Sequence, residues 1–171
     1  DEVADINNFL SHLIRKVKVP LMIDSTDPEV MEIALTYCQG KAILNSVNLE
    51  DGEKRFQQVV SLCKKFGAAL IVGTIDEDPE HGMAVTRERK VEIAQKTYDL
   101  LVDKYEFPAT NIIYDPLVFP CATGDKNYLG SARETIEGIR LIKKNMTYFN
   151  HFVFTNITFP LFLVRGEAAF E

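Results

Sequence analysis

The sequence has no apolar run long enough to cross a bilayer. Its longest, Ile157 to Val164, contains Thr158 and Pro160 and falls far short of the about 18 residues that a spanning helix needs. No basic stretch leading into an apolar one marks a signal peptide. Cysteine is scarce. Cys38, Cys63 and Cys121 are odd in number and form no C-x-x-C, which fits neither a disulfide framework nor a zinc ribbon. Cys38 and Cys63 fall within helical apolar patterns and are expected to be buried small hydrophobes, whereas Cys121 follows a strand. Reduced thiols in a cytoplasmic protein are the simplest account. There is no Gly-x-Gly-x-x-Gly, no Walker A loop and no Gly-x-Ser-x-Gly elbow. No predicted strand ends in lysine, which disfavours a Schiff base, and His12, His81 and His151 are scattered without metal-ligand spacing. Basic residues are outnumbered, 19 against 25 acidic, for a net charge of −6. The basic clusters Arg87-Glu88-Arg89-Lys90, Lys64-Lys65 and Lys143-Lys144 each lie on a predicted helix. They are expected to be solvated helix faces, so neither nucleic acid nor membrane is an expected partner.

What the sequence does contain is ordinary in amount: 171 residues, 46% hydrophobic and 26% charged, enough for one well-buried domain. The expectation is a single, partial domain over residues 1–171. The chain opens on Asp1, and Gly166 to Glu171 looks like a helix start, so it is expected to be an excerpt of something longer.

Two hydrophobic periods alternate along it. Val3, Ile6, Phe9, Leu10, Leu13, Ile14 and Val17 are expected to share one helix face, and PLMID (20–24) is a short apolar run. Val30, Ile33, Ala34 and Tyr37 restore the helical period, with Gly40 as its expected stop. AILNSV (42–47) is strand-like. Phe56, Val59, Val60 and Cys63 mark a helix ended by Gly67, and AALIVGTI (68–75) a third strand. Val91, Ala94, Tyr98, Leu101 and Tyr105 predict a long helix with Pro108 beyond it. NIIYD (111–115) is a fourth strand, Ile136, Ile139 and Ile142 mark another helix, and FVFTN (152–156) is a fifth strand. Helices between successive strands require crossovers, so the strands should be parallel and buried on both faces. An open doubly wound sheet and a (β/α) barrel both satisfy this pattern. Helix starts are legible too: Thr26 with Glu29, Asn48 before Glu53, and Thr86 before Arg87 are expected caps.

In both architectures ligands bind beyond the C-terminal ends of the strands. Asp24, Asn45, Asp76, Asp115 and Asn156 stand there. One Asp or Asn at a strand end is ordinary turn chemistry, but each of the five strands has one. Carboxylates accept paired N–H donors and carboxamides both donate and accept, while no protein nucleophile accompanies them. Such a set suits a flat polar heterocycle with an amidine-like edge.

Ordered motifs then carry a resemblance. MIDST (22–26), ILNSVNLEDG (43–52), TIDE (74–77), Gly82-Met83-Ala84 with Thr86 and Arg89-Lys90-Val91-Glu92, Asp115-Pro116-Leu117 with Ala122-Thr123-Gly124, and ETIEGIR (134–140) occur in that order. The chain from about residue 1 to about 146 resembles the pterin-binding (folate) domain of cobalamin-dependent methionine synthase and, more distantly, methyltetrahydrofolate:corrinoid protein methyltransferases. The resemblance implies an α/β fold, a TIM-barrel (β/α)8 pterin-binding domain, here incomplete, with about five parallel strands, the third to seventh of eight. It implies that Asp115 and Asn45 hydrogen-bond the pyrimidine edge of the pterin, with Asp24 contributing. The implied reaction moves the methyl group of 5-methyltetrahydrofolate to cobalamin, as cob(I)alamin carried by a separate corrinoid-binding domain or protein. Asn156, in TNITF (155–159), matches the family's asparagine near pterin N5. Arg165 stands near an arginine of that motif, one position off. Three features depart from the family. A Gly-Glu-Arg-Thr-Asn segment is missing, Phe152-Val153-Phe154 replace smaller residues, and Pro160 stands where glycine is usual. Two alternatives accompany this reading. One is dihydropteroate synthase, which would place Asp-Pro-Gly at residues 115–117. The other is an inactive barrel fragment that folds, or forms a homo-oligomer through open sheet edges, without turnover.

Overall fold

A computed structural model describes residues 2–50, 52–80, 82–119 and 126–146, and the backbone of 152–153. Expectations for His81, Cys121, Ala122 to Gly124, His151, Asn156 and Arg165 lie outside the described residues, as does the helix start at the C-terminal end.

The elements alternate as the periodicity predicts: α1 (Glu2–Leu13), β1 (Met22–Asp24), α2 (Pro28–Tyr37), β2 (Ile43–Val47), α3 (Glu53–Phe66), β3 (Ala69–Gly73), α4 (Arg87–Asp99), β4 (Ile112–Asp115), α5 (Ser131–Asn145) and β5 (Phe152–Val153). A π-helical turn, Leu100–Lys104, extends α4. Local chemistry sets several ends differently from the expectation. Asp27, not Thr26, caps α2, its carboxylate accepting from Glu29 N at 2.8 Å. Both residues are capping types, and extended backbone at Asp27 selects the second. Asn48 accepts from Glu50 N at 3.0 Å and so closes a tight turn, while Gly52 stands at the N-cap of α3. Cys38, not Gly40, follows the last turn of α2. Thr86 does cap α4, accepting from Arg89 N at 3.3 Å, and Gly67 ends α3 with φ +68, where a side chain would be strained.

The strands pair in the order β1-β2-β3-β4-β5, and every pair is parallel. This order answers the question that periodicity left open. A doubly wound sheet reverses its strand order and puts helices on both faces. Here the order never reverses, and right-handed crossovers then send every helix to the same side. One buried cluster accordingly holds Met31 and Leu35 of α2, Phe56, Val59 and Val60 of α3, Ala94 of α4 and Ile142 of α5. From the strands it takes Ile23, Leu44, Leu70, Val72, Ile112 and Tyr114, one face of the pleated sheet, and Val47, which the extra residue in β2 returns to that face opposite Val72. The fold is α/β, part of a TIM barrel. Each fully buried large side chain of this layer stabilises the fold by about 1.5–3 kcal/mol. Cys63 packs in the cluster as a small hydrophobe, and burial pushes its thiol up to about 12. Cys38 is only half-buried.

The other parity, Asp24, Ile43, Asn45, Ile71, Gly73, Ile113 and Asp115, faces what would be the barrel interior. Ile71 is fully buried yet outside the helix-side cluster.

Candidate pterin site

Three predicted residues share that interior face at the C-terminal rim. Asp24 and Asn45 are register partners on β1 and β2, and Gly73 and Asp115 are partners on β3 and β4. Neighbouring strands run about 4.8 Å apart, so the row spans a few strand widths, with Gly73 contributing no side chain to it. Ile43, Ile71 and Ile113 lie on the same face nearer the N-terminal ends of the strands, an apolar floor under a polar edge. Asp24 is exposed, and no described residue hydrogen-bonds its carboxylate. Asn45 is half-buried and lies within a β-bulge, where β2 has one more residue than β3 between the paired positions Leu44 and Val47. Bulges re-aim side chains, and this one holds a candidate ligand residue. The Asn45–Ser46 peptide is cis.

Asp76 is placed differently. It is 5% exposed, and its Oδ2 lies 2.6 Å from Arg89 Nη2. Its Oδ1 accepts from Asp78 N at 3.1 Å. The expected strand over 68–75 stops at Gly73 because the chain then folds back on itself. Ala84 N donates to Thr74 O at 3.2 Å, and Asp76 N to Gly82 O at 3.0 Å. A Cβ at Gly82 would lie 2.7 Å from Asp76 O and 2.5 Å from Asp78 O, so only glycine permits this approach. Asp76 thus braces the loop that its own strand feeds.

The Asp115 carboxylate accepts from Leu117 N at 2.9 Å. Leu117 has φ +61, a left-handed conformation that costs a non-glycine residue about 1–2 kcal/mol. Its carbonyl accepts from Thr135 Oγ1 at 2.9 Å and from Lys90 Nζ at 3.4 Å. Lys90 corrects the expectation of a solvated basic face. It is fully buried, with Nζ donating to Ala84 O at 2.7 Å and to Pro116 O at 2.5 Å. Desolvation pushes its ammonium down to about 8, against the pull of Asp115 and Glu134. The signal lay in the spacing. Lys90, Ile93, Ala94, Thr97 and Leu101 form the buried stripe, rotated by about one position from the stripe expected at 91, 94, 98, 101 and 105. In α5 the buried positions are Ser131, Thr135, Gly138 and Ile142, while Ile136 is 51% exposed. At Gly138 a Cβ would meet Lys90 Cδ at 2.8 Å, so the glycine makes room for the lysine stem. On the opposite flank of the rim, Arg55 of α3 plays a related part unforeseen in the sequence. Its guanidinium donates to the carbonyls of Thr26, Ser25 and Ser46, tying the loop after β1 to the end of β2.

A cleft of about 310 Å³ lined by Ile14, Val17, Pro20, Tyr37 and Lys41 lies at the N-terminal ends of β1 and β2, away from this row. Among the described residues no three His, Cys, Asp or Glu side chains cluster in a way that could hold a metal ion. Nor is any helix there long and apolar enough to cross a membrane.

Sequence comparison agrees with the geometry. The family described as pterin binding enzymes matches residues 1–153. The methionine synthase of Mycobacterium tuberculosis (strain ATCC 25618 / H37Rv) is 37% identical over 147 residues, which cover 84% of this chain but 12% of that protein. The chain therefore spans about an eighth of the length of this relative. A parallel sheet in unbroken order, a polar row on its interior rim and a match over nearly the whole length place the chain in the family of pterin-binding enzymes.

Proposed function

We propose that the chain binds 5-methyltetrahydrofolate and presents its N5-methyl group to cob(I)alamin, as part of a methionine synthase-like methyltransferase of cytoplasmic one-carbon metabolism and methionine biosynthesis. The observation that carries this reading is the row of Asp24, Asn45 and Asp115 on one interior face above an apolar floor. A pterin is flat, with a pyrimidine edge rich in N–H donors. Asp115 and Asn45 suit that edge, Asn45 with both donor and acceptor, and Asp24 extends it. The ring would lie along the isoleucine floor. Asp76, committed to Arg89, contributes by holding the loop after β3 rather than by facing the ligand directly.

The corrinoid, carried by a separate domain or protein, would supply the nucleophile. The duties left to this chain are to bind, to orient the N5–CH₃ bond and to support a proton at N5. Unprotonated, that amine is a poor leaving group. Asp115 holds the ring by its edge, and Asn156 is assigned to the neighbourhood of N5 on the resemblance alone. Positioning and fixed hydrogen bonds would supply most of the acceleration.

Isothermal titration of the chain with 5-methyltetrahydrofolate tests this. Asp115→Ala and Asn45→Ala should each weaken binding more than about 100-fold with an unchanged circular dichroism spectrum. Unaltered affinity in both variants would refute the site. Methyl transfer to added cob(I)alamin then separates turnover from binding, and binding without transfer would favour the inactive-fragment reading. Dihydropteroate synthase is disfavoured by Leu117, because a side chain stands where that enzyme would carry glycine.

A further inference from the structure

We propose that Lys90 is a positioning residue for the pterin-edge carboxylate. Its ammonium, enclosed between the loops after β3 and β4, holds Leu117 left-handed and thereby sets the turn that aims Asp115 into the barrel interior. The ligand in this proposal rests on the pterin reading, whereas the clamp itself rests on geometry.

A position on the buried stripe of α4 that needed only packing would be filled by leucine or methionine. Lysine there brings a charge into the interior, which is costly unless every N–H finds an acceptor. Here three carbonyls meet it: Ala84 O at 2.7 Å, Pro116 O at 2.5 Å and Leu117 O at 3.4 Å. Two of the three belong to the consecutive residues Pro116 and Leu117, so the ammonium spans the left-handed residue, whose φ is +61. The same turn is tied at its amide, where Leu117 N donates to Asp115 Oδ1 at 2.9 Å. The left-handed residue is therefore gripped at its carbonyl by Lys90 and Thr135 and at its N–H by Asp115. Glycine would adopt this conformation unaided, but leucine needs the grip. The charged groups that face Lys90 are Asp115 from β4 and Glu134 from α5. Its neighbours on α4, Arg87 and Arg89, are paired with Glu134 and Asp76. Phe119 lies with its ring centroid 5.1 Å from Nζ and is itself stacked on Tyr128, which keeps water from replacing the contacts.

The test uses Lys90→Met, which keeps the stem and removes the charge. Amide hydrogen exchange at Leu117 is read in the free chain, and affinity is read by titration with 5-methyltetrahydrofolate. With β3 amides still protected, the Leu117 amide should exchange at least about tenfold faster, and affinity should fall at least about tenfold. Adding Leu117→Gly should restore most of the affinity, because glycine takes the turn without help. A merely structural lysine predicts no such rescue. Unchanged Leu117 protection, or faster exchange with wild-type affinity, would overturn the proposal, and so would failure of the rescue in a folded double variant. If Lys90→Met does not fold, Thr135→Val removes the other donor to the Leu117 carbonyl; faster exchange there supports the clamp and unaltered exchange overturns it. If the wild-type chain does not bind 5-methyltetrahydrofolate, the pterin reading fails and the exchange measurement alone decides for or against the clamp.

Discussion

The two flanks of the rim solve one problem in two ways. On the β1–β2 side, Asp24 and Asn45 stand near the C-terminal ends of strands that Arg55, a half-buried side chain of the helix that follows β2, ties together. On the β3–β4 side, Asp115 stands on a turn gathered by Lys90, a fully buried side chain of the helix that follows β3. In both, a cation from a peripheral helix collects backbone carbonyls at the ends of neighbouring strands. The difference is water. Around Arg55 solvent can replace a lost bond, so the contact should be worth little. Around Lys90 it cannot, so removing the charge strands the Ala84 and Pro116 carbonyls in the interior and leaves the Leu117 carbonyl to Thr135 alone. The comparison predicts a rigid β4 flank and a forgiving β1–β2 flank.

The sharpest way to break it uses pH. The Lys90 ammonium is lowered to about 8 in the fold, against the ordinary 10.5. Between those values the unfolded chain keeps a proton that the folded chain has lost, so stability must rise with pH. Relative to Lys90→Met, the wild type should gain as much as about 3 kcal/mol across that window, measured by urea unfolding. Its affinity for 5-methyltetrahydrofolate should move the other way, weakening as the clamp loses its charge. A flat stability difference would remove the burial argument.

Gly138→Ala comes next. Its Cβ would press on the lysine stem at 2.8 Å, and a stem pinned at its far end cannot swing aside. A loss of about 1–3 kcal/mol is expected in thermal unfolding. Glu134→Gln should cost less, about 1 kcal/mol. The Glu134 carboxylate takes Arg87 Nε and Arg87 N, each at 2.9 Å, so α5 closes the first turn of α4. The Arg87 hydrogen bonds hold Glu134 down at about 2, so its contribution is complete above its ordinary 4.5 and is lost as pH falls toward 2. Acid unfolding of the Gln variant should lack that portion of the curve. The smallest effect belongs to the open flank. Arg55→Met should weaken 5-methyltetrahydrofolate binding by no more than about fivefold, the equivalent of about 1 kcal/mol. A loss as large as that of Lys90→Met would erase the distinction between the flanks.

Much of the fold was legible in the chain. Apolar spacing located the helices and the strands before them, because an element buried on one side must repeat at its own period. The strand-end carboxylates and carboxamides were legible for a related reason: in a parallel sheet every strand delivers its last residues to the same rim. Asp76 shows the limit of that rule. Its place in the sequence matches the others, but the loop after β3 folds back and Arg89 claims its carboxylate. Lys90 shows the same limit from the other side. In the run Arg87-Glu88-Arg89-Lys90 every residue looks like surface, and only its position three and four residues before Ile93 and Ala94 hints otherwise.

By itself, then, the sequence determined which residues form helices and strands, and which polar groups arrive at the strand ends, because both follow from local period and chain direction. Only the tertiary structure decided that the strands run in unbroken order as part of a barrel. It alone decided that Asp24, Asn45 and Asp115 share a face while Asp76 is held by Arg89, and that a lysine in a charged run is buried beneath Gly138. These outcomes depend on contacts between elements tens of residues apart, and no local pattern encodes how deeply one helix face will be covered by another.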